Sequence, residues 1–268
     1  MSQRPLHLFY DSNIGFELTV VTTFNKLAYE KMPNGNSYQK EIQSGVITHW
    51  SGSYYLNSTL RQACNNFFQK YCPNENENLA NMDQINFSIN FQIDPLSVNF
   101  SPRLLYIKRL FSKHKRPIPI YVKKLKIMPS HVASGFFRRF WGFFKYFKIV
   151  TFGFNWSRNF PGYAVINQSA NSHTLKSLAA HEFGHLFGLD DAYDAWYRFY
   201  YAAPETENYM MHYNKEVQSE EIAMLINAYT QNRIQFFPIK FNFKTIQKGF
   251  RTEIKYYRKK LKKFFSFE

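Results

Sequence analysis

The sequence predicts an α+β fold in which a small mixed sheet is followed by two helices. Residues 16–24 are rich in Val, Thr and Phe, which favour a β-strand. Residues 85–93 alternate apolar and polar side chains without a break, which is the pattern of a half-buried strand. Apolar residues after Ser37 recur at helical spacing instead. At 268 residues, the chain is long enough to bury a sizeable core.

The first half of the chain supplies most of the predicted sheet and two helices. Ser37 is placed to cap a helix over residues 38–50, and residues 60–71 have the composition of a second helix. Residues 118–127 predict another strand, with prolines near its start. Residues 130–148 fit either an aromatic insertion or a strand with a long loop, and the sequence leaves that choice open.

The second half predicts a hairpin and then two helices. Residues 151–156 and 162–167 flank a short turn and are interpreted as paired strands. A helix over residues 174–187 should end at Gly188, since glycine commonly follows a helix C-terminus. Ser219 should cap a last helix that extends to about residue 231. We expect one domain over residues 1–237 and a separate basic tail or helix over residues 238–268.

Positive charge is concentrated in two parts of the chain. Lys and Arg total 34 against 19 Asp and Glu, which gives a net charge of +15. An aromatic insertion at about residues 100–150 carries many of these bases, and no acidic residue lies between Asp94 and Glu182. The tail is the second basic segment. Such segments form a solvated basic face or bind an anionic membrane or an acidic partner. Nucleic acid is an unlikely partner, because no nucleic-acid-binding motif is present.

Targeting signals are weak. Residues 1–11 lack the apolar segment of a Sec signal peptide. No apolar run reaches the roughly 18 residues that a transmembrane helix needs. The sequence therefore predicts neither a Sec signal nor a membrane span, and it leaves the localisation unassigned.

The residues with the clearest chemistry lie in the segment HEFGHLFGLDD, which begins at His181. His181 and His185 are four residues apart on the predicted helix, so both imidazoles leave the same face and can bind one tetrahedral cation. Glu182 is placed to take a proton from a water that the cation activates. Gly188 permits a sharp turn that returns a third ligand, and Asp191 stands six residues past the second histidine. Asp190 and Asp194 have the same chemistry and remain alternatives.

This segment resembles the extended zinc motif HExxHxxGxxH/D of the metzincin metalloproteases. The resemblance implies a metzincin-like fold and a Zn²⁺ ion held by His181, His185 and Asp191, with Glu182 as the general base. It also implies a methionine-containing turn beneath the metal. The sequence YMMHY, which ends at Tyr213, resembles that turn. By this match Met211 would lie under the metal, and Tyr213 would ligate zinc at rest or stabilise the oxyanion during turnover.

Residues 37–237 also resemble metalloprotease domains at the C-termini of bacterial polymorphic, Rhs-type toxins. The segments that carry this resemblance are 45–52, 180–193 and 217–222. It implies a zinc-dependent endopeptidase that acts on protein or peptide substrates, and a secreted or delivered effector. We expect the substrate to lie extended along residues 162–167 as an edge strand. Two alternatives to an endopeptidase remain open. The protein is then either a non-catalytic zinc-containing binding module or a cationic membrane-associating protein.

Overall fold

The computed structural model describes most of the predicted domain and a few residues of the tail. The described residues are 4–73, 79, 82–94, 117–125, 129–134, 141, 144–145, 155–192, 203, 205–238, 247, 251, 254–259 and 262. They form seven strands, β1 Leu6–Asp11, β2 Gly15–Phe24, β3 Gly52–Tyr55, β4 Gln84–Ile93, β5 Ile118–Lys123, β6 His131–Ala133 and β7 Tyr163–Asn167. The helices are α1 Tyr38–Trp50, α2 Ser58–Tyr71, α3 Ser172–Leu186, α4 Met210–Tyr213 and α5 Ser219–Gln231, with a 3₁₀ helix over Lys26–Tyr29.

All seven strands belong to one mixed sheet. Its order is β3-β4-β2-β5-β7-β6, and β1 pairs with β2 outside that path. The four central strands β4, β2, β5 and β7 are parallel, while β3 and β6 run antiparallel at the two ends. β1 pairs with the first part of β2 and β5 with its last three residues, so β1 and β5 share one side of that strand. The predicted mixed α and β architecture is confirmed, with a larger sheet than the sequence indicated.

The predicted hairpin before α3 is wrong. The described residues 155–157 are not in a strand, and β7 pairs in parallel with β5 and antiparallel with β6. β7 is therefore an interior strand, and the edge at this end of the sheet is β6. The burial of three consecutive residues in β7 fits this position, because an interior parallel strand is covered on both faces. β6 comes from the segment whose structure the sequence left open.

The main hydrophobic core lies on the face of the sheet that carries α1, α2 and α3. Phe16 of β2 is fully buried there, with its ring centroid 5.1 Å from that of Phe67 and 5.7 Å from that of Phe68, both in α2. The opposite face carries a small separate cluster around Tyr121 and Val165. One face of the sheet thus supports the helices, including the one that carries the histidine motif.

α1 packs directly along α3. Gly45 makes this approach possible, since a Cβ at this position would lie only 2.5 Å from Lys176 Cα. The indole Nε1 of Trp50 donates a hydrogen bond of 2.9 Å to the carbonyl of Ala180, which immediately precedes the first histidine of the motif. α1 therefore fixes the position of α3 along the helix axis as well as the direction of that axis.

The helix boundaries agree closely with the sequence, apart from their caps. The Oγ atom of Ser37 caps α1 by accepting from the Lys40 amide at 3.2 Å, as expected. α3 begins two residues earlier than predicted, because Asn171 supplies its cap. The expected cap of α5 by Ser219 is wrong. Gln218 and Glu221 instead form a capping box at the start of α5. Such a box needs a glutamate or glutamine at the third helical position, and Glu221 occupies that position.

Most of the basic insertion and the tail fall outside the described residues. In the tail, residues 254–259 are helical. Within the part of the chain that the structure describes, no helix is both long enough and apolar enough to cross a bilayer.

A buried carboxylate joins α1 to the start of α3. Glu41 accepts hydrogen bonds from Ser172, Asn34 and Asn36, and it lies 3.4 Å from the Lys176 ammonium. The Ser172 hydroxyl is the main reason that the pKa of Glu41 falls from 4.5 to about 2, and the two amides and the ammonium add to it against the opposing effect of burial.

We predict that Glu41→Gln destabilises the protein in a pH-dependent way. The folded pKa of Glu41 lies below its unfolded value, so its contribution is complete above about pH 4.5 and is lost as the pH falls towards 2. The variant should lose about 1–3 kcal/mol of unfolding free energy near neutral pH. Urea unfolding across this pH range measures the difference, with the exposed Glu30→Gln as the control. A difference from wild type that stays constant down to low pH would contradict the assignment.

Candidate metal centre

α3 presents the two histidines of the motif on one face. The ring centroids of His181 and His185 are 5.1 Å apart, and the rings are nearly perpendicular. A second tryptophan holds the far end of the helix, since Trp156 Nε1 donates to the Leu186 carbonyl at 2.7 Å. That carbonyl lies in the last turn, where helix geometry leaves acceptors unsatisfied.

A tight turn after α3 brings the following residues back towards the histidines. Gly188 has φ +99°, a conformation that residues with a side chain rarely adopt, and a Cβ there would lie 2.7 Å from the Cβ of Ala228. The Leu189 amide bonds back to the Gly184 carbonyl, and the Asp190 amide bonds to the Gln235 carbonyl. The turn is thus held by both α3 and the segment after α5.

Backbone carbonyls fix the orientation of both imidazoles. His181 Nδ1 lies 2.9 Å from the Met210 carbonyl oxygen, and His185 Nδ1 lies 2.9 Å from the Leu189 carbonyl oxygen. A carbonyl oxygen only accepts, so each Nδ1 must carry the proton and donate it. In the neutral imidazoles the lone pair is then on Nε2, the arrangement that orients histidine as a metal ligand.

The two Nε2 atoms and a carboxylate oxygen converge on one point. Asp191 Oδ1 lies 3.1 Å from His181 Nε2 and 3.4 Å from His185 Nε2, and the three atoms lie within 4.8 Å of one another. Asp191 Oδ1 is buried and has no hydrogen-bond partner among the described residues. Three groups at these distances could hold a cation between them, and two histidines with one carboxylate fit Zn²⁺.

The electrostatics of the cluster favour positive charge. Burial disfavours the charged form of His185, but the Asp191 carboxylate outweighs burial and raises the pKa of this imidazole to about 10. The pKa of His181 is raised against burial in the same way. The two imidazoles lower the pKa of Asp191 against burial. The carboxylate is therefore ionised at neutral pH, and its field attracts a cation.

Glu182 is buried beside these ligands. Glu182 is 4% exposed, and its Oε2 atom has no hydrogen-bond partner among the described residues. Burial raises the pKa of Glu182, although the charges of His181 and His185 oppose that effect. A raised pKa brings a carboxyl group closer to the neutral range, where it serves best as a proton acceptor.

The predicted methionine turn lies directly against α3. Met211 is fully buried, and its sulfur occupies the space that a Cβ on Gly184 would need. Gly184 stands between the two histidines in the sequence, so Met211 packs under the turn of α3 that carries them. Tyr213, two residues later, is 57% exposed and stacks its ring on His212 at 3.9 Å between centroids. Its suggested role at the metal stays a prediction.

The three candidate aspartates have different positions. The cluster that the structure brings together contains Asp191 and does not contain Asp190. Asp190 is buried and contributes its amide to the turn. Asp194 lies outside the described residues.

The sequence did not indicate which groups support the ligands. The carbonyls of Met210 and Leu189 carry no sequence signal, because any residue supplies a carbonyl. Glu221 accepts from the amides of both Met210 and Met211. The capping-box pattern Gln218 to Glu221 was detectable, but it predicts only a helix cap.

A polar cleft of about 880 Å³ is lined by residues of α3 and of the segment around the methionine turn, and none of the three converging groups lines it. Ser177 lines it one helical turn before His181, and Tyr209 lines it just before the methionine turn. Its charged and titratable lining includes His49, His173, Glu205 and Glu216. The cleft is large enough to hold several polar groups of a ligand.

Comparisons with known proteins do not assign this chain to a family. No family model, no curated protein and no solved structure matches it. The resemblance to metzincins and to the toxin domains therefore rests on the motifs given above and stays a prediction.

We predict that Asp191→Ala loses zinc far more readily than Asp190→Ala. Asp191 supplies one of the three converging atoms, so its removal should lower zinc affinity by several orders of magnitude. Asp190→Ala should retain the metal, because Asp190 is not one of the three converging groups. Zinc content after dialysis, measured by mass spectrometry of the metal, tests both variants. Equal retention in the two variants would show that the third ligand is misassigned.

Proposed function

We propose that this protein is a zinc-dependent endopeptidase that hydrolyses peptide bonds in protein or peptide substrates. The observation that carries the proposal is the convergence of His181 Nε2, His185 Nε2 and Asp191 Oδ1 beside the buried carboxyl group of Glu182. Metal ligands and a proton acceptor in adjacent positions are what metal-assisted hydrolysis requires.

The number of ligands favours catalysis over a structural role. Structural zinc sites usually take four protein ligands, whereas catalytic sites take three and keep one position open. Within the described residues, the group that can hold the ion has three members. When bound there, Zn²⁺ would supply the Lewis acidity that polarises a peptide carbonyl and makes water a nucleophile at neutral pH.

Glu182 would move the proton. Its Oε2 atom has no partner among the described residues, so it is available to accept a proton from the attacking water. The same carboxyl group then donates that proton to the leaving nitrogen as the C–N bond breaks. Burial keeps Glu182 away from bulk water and raises its pKa, which makes the carboxylate a stronger proton acceptor.

The sheet offers an edge for an extended substrate. β6 pairs with β7 and stands at the end of the strand order, so its other side is unpaired among the described strands. It also contacts α3. A peptide could add to β6 by main-chain hydrogen bonds and would then lie beside a strand that contacts α3.

The metzincin-like fold and the role of a delivered toxin or effector are further parts of this proposal. The support for them is the extended HExxH segment, the buried Met211 and the short segments that resemble Rhs-type toxin domains. A non-catalytic zinc module is a distinct outcome of the cleavage experiment below.

We predict that Glu182→Gln abolishes hydrolysis and keeps the metal. The substitution removes the proton acceptor without removing a ligand, so kcat/KM should fall by about 10²- to 10⁴-fold. Cleavage of a peptide library, followed by mass spectrometry, measures the activity of the zinc-loaded wild type. Chelation should stop cleavage, and added zinc should restore it.

The exposed Glu30→Gln is the control and should retain full activity. A wild type that holds zinc but cleaves nothing in the library would indicate a binding module. Undiminished cleavage by Glu182→Gln would refute the role of Glu182.

We predict that Tyr213→Phe lowers kcat while leaving the fold intact. If the hydroxyl stabilises the oxyanion, its loss should cost about 10²- to 10³-fold in kcat. The melting temperature should be unchanged, since the side chain is 57% exposed. Tyr55→Phe, in which the replaced residue is 64% exposed on β3, is the matched control. Equal turnover by the two variants would remove Tyr213 from the mechanism.

A further inference from the structure

Glu221 is a fully buried carboxylate in the first turn of α5, outside the cluster of proposed ligands. Placing a charged group in the interior is costly unless hydrogen bonds replace its water. Its partners therefore indicate which part of the structure this residue supports.

Three backbone amides donate to this carboxylate. The Met211 amide donates to Oε1 at 2.8 Å, and the amides of Met210 and Gln218 donate to Oε2 at 3.3 and 2.9 Å. The bond from Gln218 completes the capping box of α5. A capping box needs only that one amide, so the two bonds from the methionines serve another purpose.

The segment that Glu221 holds is in direct contact with the metal centre on two sides. The carbonyl of Met210 accepts from His181 Nδ1 at 2.9 Å. The carbonyl of Met211 accepts from the Ala192 amide at 2.9 Å, next to the ligand Asp191. The amides of both methionines thus donate to Glu221. The carbonyl of Met210 accepts from the candidate ligand His181, and the carbonyl of Met211 accepts from Ala192, the neighbour of Asp191.

We propose that Glu221 is a positioning residue for the metal centre. By fixing the amides of Met210 and Met211, it also fixes the positions of their carbonyls. The Met210 carbonyl orients His181, and the Met211 carbonyl holds the backbone next to Asp191. The hydrogen bonds to the carboxyl oxygens of Glu221 also polarise the intervening peptides, which strengthens both carbonyls as acceptors. This inference rests on the proposed metal centre and extends it to a residue on a different helix.

The competing interpretation is that Glu221 only caps α5. Two variants separate the alternatives. Gln218→Ala removes the reciprocal side-chain cap of α5 and leaves the carboxylate of Glu221 in place. Glu221→Gln keeps the size of the side chain, but its single carbonyl oxygen can replace only one of the two carboxyl oxygens, and its NH₂ group only donates, so at least one of the two methionine amides loses its acceptor.

The test measures zinc affinity by competition with a chelator and records the absorption spectrum of the Co²⁺-loaded protein. Glu221→Gln should bind zinc about 10- to 100-fold more weakly and give a shifted Co²⁺ spectrum. Gln218→Ala should lower the melting temperature and leave zinc affinity within about twofold of wild type. A folded Glu221→Gln protein with wild-type zinc affinity and spectrum would overturn the proposal, and so would an equal loss of affinity in both variants.

A second measurement applies even if Glu221→Gln does not fold. In the metal-free wild type, hydrogen exchange should show the amides of Met210 and Met211 to be as protected as those of α3. Rapid exchange at both amides would overturn the proposal. Zinc content of the wild type tests the metal centre separately. A wild type that binds no zinc refutes the proposed function, whereas unchanged affinity in the variant refutes only the role of Glu221.

Discussion

Two imidazole nitrogens and a carboxylate oxygen face one another at the end of α3, and the carboxylate favours a positive charge between them, carried by a proton or by a metal ion. Folding holds these three groups within a few ångströms of one another. Carbonyls fix the rings of His181 and His185 from behind, and the turn at Gly188 fixes Asp191. A metal ion that binds between these groups would need little movement of them, because their positions are already fixed.

The rest of the domain holds α3 from several directions. α1 reaches it through the close approach at Gly45 and the hydrogen bond from Trp50. Trp156 holds its C-terminal end, and Glu41 holds its N-terminal turn. These contacts come from segments far apart in the sequence. The large sheet and its one-sided core are the frame that brings them together.

The sequence was informative where a pattern is long or chemically specific. β2, β4, α1 and α2 carry many residues of clear periodicity, and the spacing of the histidines in α3 restricts their geometry to one face. β6 has only three residues and β7 has five, which is too short for a periodic signal to identify pairing partners. β7 is an interior strand because it pairs with β5 and β6. The local sequence of β7 carries no information about these partners.

The choice among the aspartates shows the same limit within the site. Asp190 and Asp191 are adjacent and identical in chemistry, so only the path of the turn decides which one faces the histidines. The carbonyl partners of the histidines, and the anchoring of Met210 by Glu221, depend equally on tertiary contacts. Sequence reasoning located the candidate ligands, but the groups that orient them became visible only in the folded chain.

The most direct measurement is anomalous diffraction on both sides of the zinc absorption edge, from crystals of the zinc-loaded protein. We expect one strong peak at about 2.0–2.2 Å from His181 Nε2, His185 Nε2 and a carboxylate oxygen of Asp191, without a fourth protein ligand. A peak elsewhere, no peak between these three side chains, or a fourth protein ligand that closes the site would contradict this account.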